Sequence, residues 1–212
     1  MATLLLIHGG LWDDMDAGRF WDAPGIIAGL RRHGLEVIAP DRLRQAPAWT
    51  AEAAHLVPAP AGPPVTVLAG SNGCSAAARL AVDFPGLVAR LLLAWPATAG
   101  DPAVDTRDRT RLAGRGAPSK AISALLAGET LRGLTDAELA SLTIPVGVLP
   151  SVPANPFHQR RTADALLRLL PRAEELPGCP EPPSREFPPC RPAFLATVTA
   201  FAAGPPTAGP PT

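Results

Sequence analysis

One stretch constrains this chain more than any other: Val65 to Ala81, reading VTVLAGSNGCSAAARLA. A β-branched and aliphatic run (Val65, Thr66, Val67, Leu68) meets five small residues (Ala69, Gly70, Ser71, Asn72, Gly73). An Ala/Leu/Arg segment of helical composition follows at once. Strand, sharp turn and helix with a serine at the apex is the sequence form of a nucleophile elbow. Small residues are required because the strand's end and the helix's start approach closely, and the apex residue takes a strained backbone conformation. The apex falls on Ser71 or Asn72. Ser71 is preferred, because small residues then stand two positions away on each side and an activated hydroxyl is a far better nucleophile than an amide. A dinucleotide-binding reading of AGSNGCSA fails, since its glycines do not fit G-x-G-x-x-G and Trp95-Pro96 stands where an acid is needed.

The rest of the chain supplies the same alternation. Leu4 to Ile7 is a continuous aliphatic run, as expected for a strand buried on both faces of a parallel sheet. It ends at His8, Gly9 and Gly10, and it reads as a core strand, not a signal peptide, because no basic region precedes it. A loop rich in aromatic and acidic residues leads to a helix at Gly25–His33, stopped by Gly34. Leu35–Ala39 is a second strand, and Thr50–Val57 a helix capped by Thr50. Residues 58–64 are a proline-rich connector. Val88–Trp95 is a fourth strand, Ile144–Leu149 a fifth and Ala173–Leu176 a sixth. Phe157–Leu170 and Ala193–Ala202 are the last helices. Residues 97–143 break the rhythm as an insertion, in which Thr135 and Glu138 have capping-box spacing. The predicted class is α/β: a three-layer α/β/α sandwich on a mostly parallel sheet of about six strands. One domain spans residues 1–203, with 97–143 as a small cap, and a disordered Pro/Gly-rich tail follows at 204–212.

Composition excludes several function classes. With 19 basic and 19 acidic residues the net charge is +0, so nucleic acid and anionic membranes are not expected partners. No apolar run reaches membrane-spanning length. Three cysteines (Cys74, Cys179, Cys190) are an odd, sparse set that points to a reducing, cytoplasmic setting and lacks paired metal-ligand spacing. No metal and no cofactor is expected. The expected partner is a small molecule.

Three pieces resemble the α/β-hydrolase superfamily over about residues 3–203: LLLIHGG, LEVIAPD, and the elbow continuing through DFPGLVARLLLAWP. The resemblance implies that Ser71 is the nucleophile. It implies an oxyanion hole from the Asn72 amide and the turn His8-Gly9-Gly10-Leu11, with the second amide at Gly10 or Leu11. It also implies that the chain begins at the strand leading to the HG turn, without the family's first two strands. The family order then asks for an acid after the fifth strand and a histidine after the sixth. The first loop reads PSVPANP and has no carboxylate; the second reads PGCPEPPSREFPP and has no histidine. The sequence departs from the family at the two residues that activate the serine. His158, near the family's acid position, is the candidate base, and Asp101, Asp105 or Glu181 a displaced acid. Trp12, Trp95 and Phe157 are the candidate pocket residues. The expected function is a serine hydrolase acting on a small, fairly apolar ester, thioester or amide. The alternative is an inactive pseudo-hydrolase that binds a ligand or partner.

Overall fold

The computed structural model describes residues 2–57, 62–182 and 184–204. The tail from residue 205 and residues 58–61 of the proline-rich connector lie outside the described residues. Among the described residues six strands form one sheet: β1 Thr3–Ile7, β2 Glu36–Ile38, β3 Val65–Gly70, β4 Val88–Ala94, β5 Val146–Leu149 and β6 Ala173–Glu175. Their spatial order is β2-β1-β3-β4-β5-β6, and every neighbouring pair is parallel. β1 and β3 are therefore neighbouring interior strands, and the order of strands reverses between them. In such sheets ligands gather beyond the carboxyl ends of the strands at that crevice.

Among the described residues, eight α-helices accompany the sheet, besides a single π-helical turn at Gly18–Asp22: α1 Ile26–Arg32, α2 Trp49–His55, α3 Gly73–Asp83, α4 Pro102–Gly114, α5 Ser119–Leu126, α6 Asp136–Ala140, α7 Arg160–Leu169 and α8 Phe187–Ala202. The central strands are apolar on both sides because each side meets helices. Leu5 and Ile7 of β1 point into the core that holds α2, α3 and α7, whereas Leu4 and Leu6 point into the core that holds α1 and α8. Leu91 and Leu93 alternate with Leu92 and Ala94 in the same way on β4. This two-residue alternation is hidden in the sequence, because both faces are aliphatic.

Several local expectations change. Helix α2 starts one residue early, with Ala48 at its N-cap and no side-chain cap bond, so Thr50 is not the cap. The Asp/Arg-rich segment is helix α4, capped by the Asp101 side chain accepting the amides of Ala103 and Val104. Its arginines and aspartates hide the periodicity that marks an amphipathic helix. Helix α8 begins at Phe187, six residues before the predicted start, with Pro188 in the first turn, where a missing N–H costs nothing. The capping box of Thr135 and Glu138 forms at α6 as predicted. No helix among the described residues is long and apolar enough to cross a membrane.

Candidate functional site

β3 runs straight into α3 through two residues. Ser71 carries a φ of +54°, in the left-handed region, while Asn72 at −61° is already helical. Ser71 is therefore the apex residue. Its amide is tied to the Ala94 carbonyl of β4 at 3.0 Å, and the Cys74 amide closes the turn onto the Ser71 carbonyl at 3.0 Å. Gly73 cannot be replaced without rebuilding the turn: a Cβ there would lie 2.5 Å from the His8 carbonyl and 2.6 Å from that of Ile7. The elbow and the end of β1 are thus in backbone contact.

That contact brings the turn after β1 to Ser71. Gly10, at a φ of +89°, lines the same cavity as Ser71 and Asn72. Among the described residues no protein acceptor takes the amide of Gly10 or of Asn72. The Leu11 amide instead donates to Asp13 Oδ2 at 3.1 Å, and its side chain is buried. The two positions offered by the sequence are now distinguished: Gly10 faces the cavity and Leu11 does not. His8 is structural. Its Nδ1 lies 2.7 Å from the Gly9 carbonyl and its Nε2 accepts the Arg42 amide at 2.9 Å. Burial, and then the Arg42 charge, hold its pKa below the ordinary histidine value.

Arg42 fixes the whole turn. Its Nη1 donates to the carbonyls of His8 (3.0 Å), Gly9 (3.2 Å) and Gly10 (2.8 Å). Its Nε and Nη2 meet Glu52 Oε2 at 2.8 and 2.7 Å. Both side chains are almost completely buried. Three successive carbonyls pinned to one cation leave the amide of Gly10 free for the cavity. The sequence offered only one hint of this clamp, the position of Arg42 directly after the Pro-Asp that ends LEVIAPD.

His158 comes from the loop after β5. The Thr98 amide donates to the Phe157 carbonyl at 2.7 Å, and the Gln159 amide to Thr98 Oγ1 at 3.0 Å. These bonds fold the loop inward and set His158 Nε2 2.9 Å from Ser71 Oγ. Asn155 Nδ2 lies 3.3 Å from His158 Nδ1, and Glu181 Oε2 lies 3.6 Å from the same nitrogen. Glu181 sits in the loop after β6, which is held by the Cys179 carbonyl accepting Trp95 Nε1 at 2.7 Å and the Val152 amide at 3.2 Å. Its carboxyl lines the same cavity as Ser71. Burial pushes Glu181 up to about 7 and His158 down to about 4. Relative to the order drawn from the resemblance, histidine and carboxylate have exchanged loops.

Ser71, His158 and Glu181 border a cavity of about 300 Å³. Met15, Phe20, Ala97, Val104 and Phe157 give it an apolar lining, and Arg107, Arg111, Arg132, Asp13 and Asp108 a charged one. The Arg107 guanidinium stacks over Phe157, 4.5 Å from the ring centre. Arg132 is buried, pairs with Asp105 and Asp108, and reaches Asn72 Oδ1 at 3.4 Å. Residues 97–143 supply much of this lining through α4 and the loop before α6.

Other expectations are corrected. Phe157 lines the cavity, but Trp12 and Trp95 do not. Trp12 turns away, its Nε1 donating to the Ala46 carbonyl at 2.8 Å. Trp95 is fully buried on the α8 side, stacked on Phe194 at 5.3 Å between centroids. Asp101 caps α4 and pairs with Arg161, and Asp105 pairs with Arg132, so neither reaches His158.

No protein-family model matches the sequence, and no curated protein matches it at the sequence level. Solved structures do match in three dimensions. BpoC from Mycobacterium tuberculosis, a proposed non-heme bromoperoxidase, superposes with a TM-score of 0.73 at 14% identity, over 96% of this chain and 92% of that one. The meta-cleavage product hydrolase CumD from Pseudomonas fluorescens IP01 gives 0.69 at 16% identity, over 95% and 90% of the two chains. The esterase RhEst1 from Rhodococcus sp. ECU1013 gives 0.67 at 16% identity, over 96% and 90%. The chain has the α/β-hydrolase fold.

Proposed function

We propose that the protein is a serine hydrolase that cleaves a small ester, thioester or amide, with Ser71 as the nucleophile. One observation carries this reading: a serine in a strained left-handed elbow lies 2.9 Å from a buried histidine at the edge of a cavity. Strained residues cluster where function requires them. His158 Nε2 lies 2.9 Å from the hydroxyl, and Glu181 Oε2 lies 3.6 Å from Nδ1 of the same ring, which supports a serine–histidine–carboxylate arrangement. The amides of Asn72 and Gly10 border the same space and would receive the negative charge that develops on a substrate carbonyl oxygen. Each such donor is worth about 3 kcal/mol of barrier. The cavity volume suits a small substrate, whose apolar part would rest on Met15, Phe20 and Phe157. Hydrolases and an esterase among the structural neighbours support the same reaction class.

A fluorophosphonate probe tests the reading. Labelling at Ser71, lost in Ser71→Ala, with turnover of a short p-nitrophenyl ester that is lost in the same variant, is the expected result. A folded protein with neither labelling nor turnover refutes it and leaves the ligand-binding alternative.

A further inference from the structure

Helix α4 turns Val104, Arg107, Asp108 and Arg111 toward the cavity beside Ser71. Steps of three, four and seven residues from Val104 trace one face of a helix. A helix face turned inward is ordinarily apolar, and this one carries two arginines. Arg111 is engaged within the protein, with Asp108 at 3.1 Å and Asp13 at 3.4 Å. Arg132, which reaches the cavity from the loop before α6, is engaged with Asp108 at 2.7 Å and Asp105 at 3.1 Å. None of these aspartates reaches Arg107. Among the described residues its one interaction is with Phe157, whose ring centre lies 4.5 Å from the guanidinium carbon.

Arg107 is exposed and also lines the cavity, so it stands at the rim. Stacking uses the flat face of a guanidinium and leaves its N–H edge open. Phe157 is the residue before His158, and both line the cavity, so the stack holds that edge beside the loop that reaches Ser71. A planar cation fixed in this way, with its N–H groups unused, matches a carboxylate, which accepts two parallel N–H bonds.

We infer that the substrate carries a carboxylate besides its scissile carbonyl, and that Arg107 binds this carboxylate at the rim while the carbonyl carbon meets Ser71. The inference deepens the hydrolase reading and rests on it. Arg107 offers one positive charge, and Asp13 and Asp108 in the same lining repel a second negative one, which disfavours a phosphate dianion. Glu181, raised by burial to about 7, adds less than a full negative charge at neutral pH. Met15, Phe20 and Phe157 take the carbon chain between the two polar ends, and a cavity of about 300 Å³ keeps that chain short. The substrate class is a short ester, thioester or amide with a free carboxylate, such as a half-ester of a dicarboxylic acid.

Methanol release at neutral pH is measured from the monomethyl esters of succinic, glutaric and adipic acid. Each is paired with its carboxamide counterpart, which keeps the shape and removes the charge. Wild type should favour the acid in kcat/KM by roughly 10–100-fold for at least one chain length, the worth of a hydrogen bond to a charged group. Arg107→Met and Arg107→Gln should bring that ratio near one. Arg107 is exposed, so both variants should fold, which circular dichroism checks. Arg109→Met, an exposed position on α4 outside the cavity lining, should keep the ratio. A wild-type ratio near one for every pair, or a ratio that survives both Arg107 variants, overturns the inference. Calorimetric titration of Ser71→Ala with the same compounds reads binding without turnover, and it should show the same preference, lost on adding Arg107→Met. Turnover or fluorophosphonate labelling without acid preference refutes the carboxylate site and leaves the nucleophile reading standing. Acid-selective binding that needs Arg107, in a folded wild type that neither labels nor turns over, upholds the site and refutes the nucleophile reading.

Discussion

Removing the Arg42 guanidinium tests whether one buried cation holds the turn that carries Gly10. Arg42→Ala strips Glu52 of its ion-pair partner and the carbonyls of His8, Gly9 and Gly10 of their shared donor. Glu52 is 2% exposed, so water cannot take over. Truncating one partner of a buried pair costs about 3–5 kcal/mol, chiefly through the charge left behind. For a domain of this size each kcal/mol moves Tm by about 2–4 °C, so Arg42→Ala should melt roughly 6–20 °C lower. Arg42→Met with Glu52→Leu removes both charges and fills the space with apolar groups. That exchange is often near neutral, so the double variant should regain most of the Tm. Function should not return with stability. The carbonyls of residues 8–10 still lack a donor, the Gly10 amide loses its fixed direction, and Ser71 reactivity should stay down by about 10²–10³, as for loss of one oxyanion donor. Differential scanning calorimetry and fluorophosphonate labelling read the two effects separately. A Tm drop under about 3 °C for Arg42→Ala, or recovery of labelling together with Tm in the double variant, would refute the reasoning.

Ser71→Gly should be more stable than Ser71→Ala by roughly 1 kcal/mol, since glycine takes the left-handed conformation at φ +54° without the Cβ clash; urea unfolding of the two variants checks it, and equal midpoints count against strain at the elbow. Gly73→Ala places a methyl against the His8 and Ile7 carbonyls and should cost about 3 kcal/mol or prevent folding; wild-type stability in that variant would mean the contact is loose. The pH dependence of stability carries two opposed contributions from the site. Glu181 goes from an ordinary 4.5 to about 7 on folding, so the native state holds the extra proton and stability falls as pH rises through that window. His158 goes from 6.5 to about 4, so stability rises with pH between those values. The two offset each other between about pH 4.5 and 6.5. Glu181→Gln should therefore steepen the rise in unfolding free energy over that range, by at most about 1.4 kcal/mol per pH unit relative to wild type. Denaturant melts at several pH values measure this, and parallel profiles for the two proteins would exclude the raised carboxyl.

The strands were legible because buried parallel strands need unbroken aliphatic runs, and LLLI, VTVL and LLLA supply them. The elbow was legible because close backbone contact admits only small residues, and Gly70 to Gly73 are small. Helix α4 was obscured because its polar and charged residues serve a cavity and a surface together, which erases the apolar stripe. Trp12 and Trp95 were misplaced for a related reason: an aromatic residue after a strand packs equally well in a core or against a ligand, and only the neighbours distinguish the two.

Local chemistry in the sequence thus determined the α/β alternation, the parallel sheet and the serine at the turn. Its short-range rules act over a few residues, and there steric demand leaves few choices. The tertiary structure alone brought together residues 71, 155, 158 and 181. No spacing rule joins them, because their meeting depends on which strands lie side by side and how two loops bend over the sheet's edge. It also decided that Gly10 rather than Leu11 faces the cavity, through the Arg42 clamp beneath the turn. The elbow sets a hydroxyl at its apex; the fold brings His158 to that hydroxyl and Glu181 to His158, each in the loop where the resemblance asks for the other.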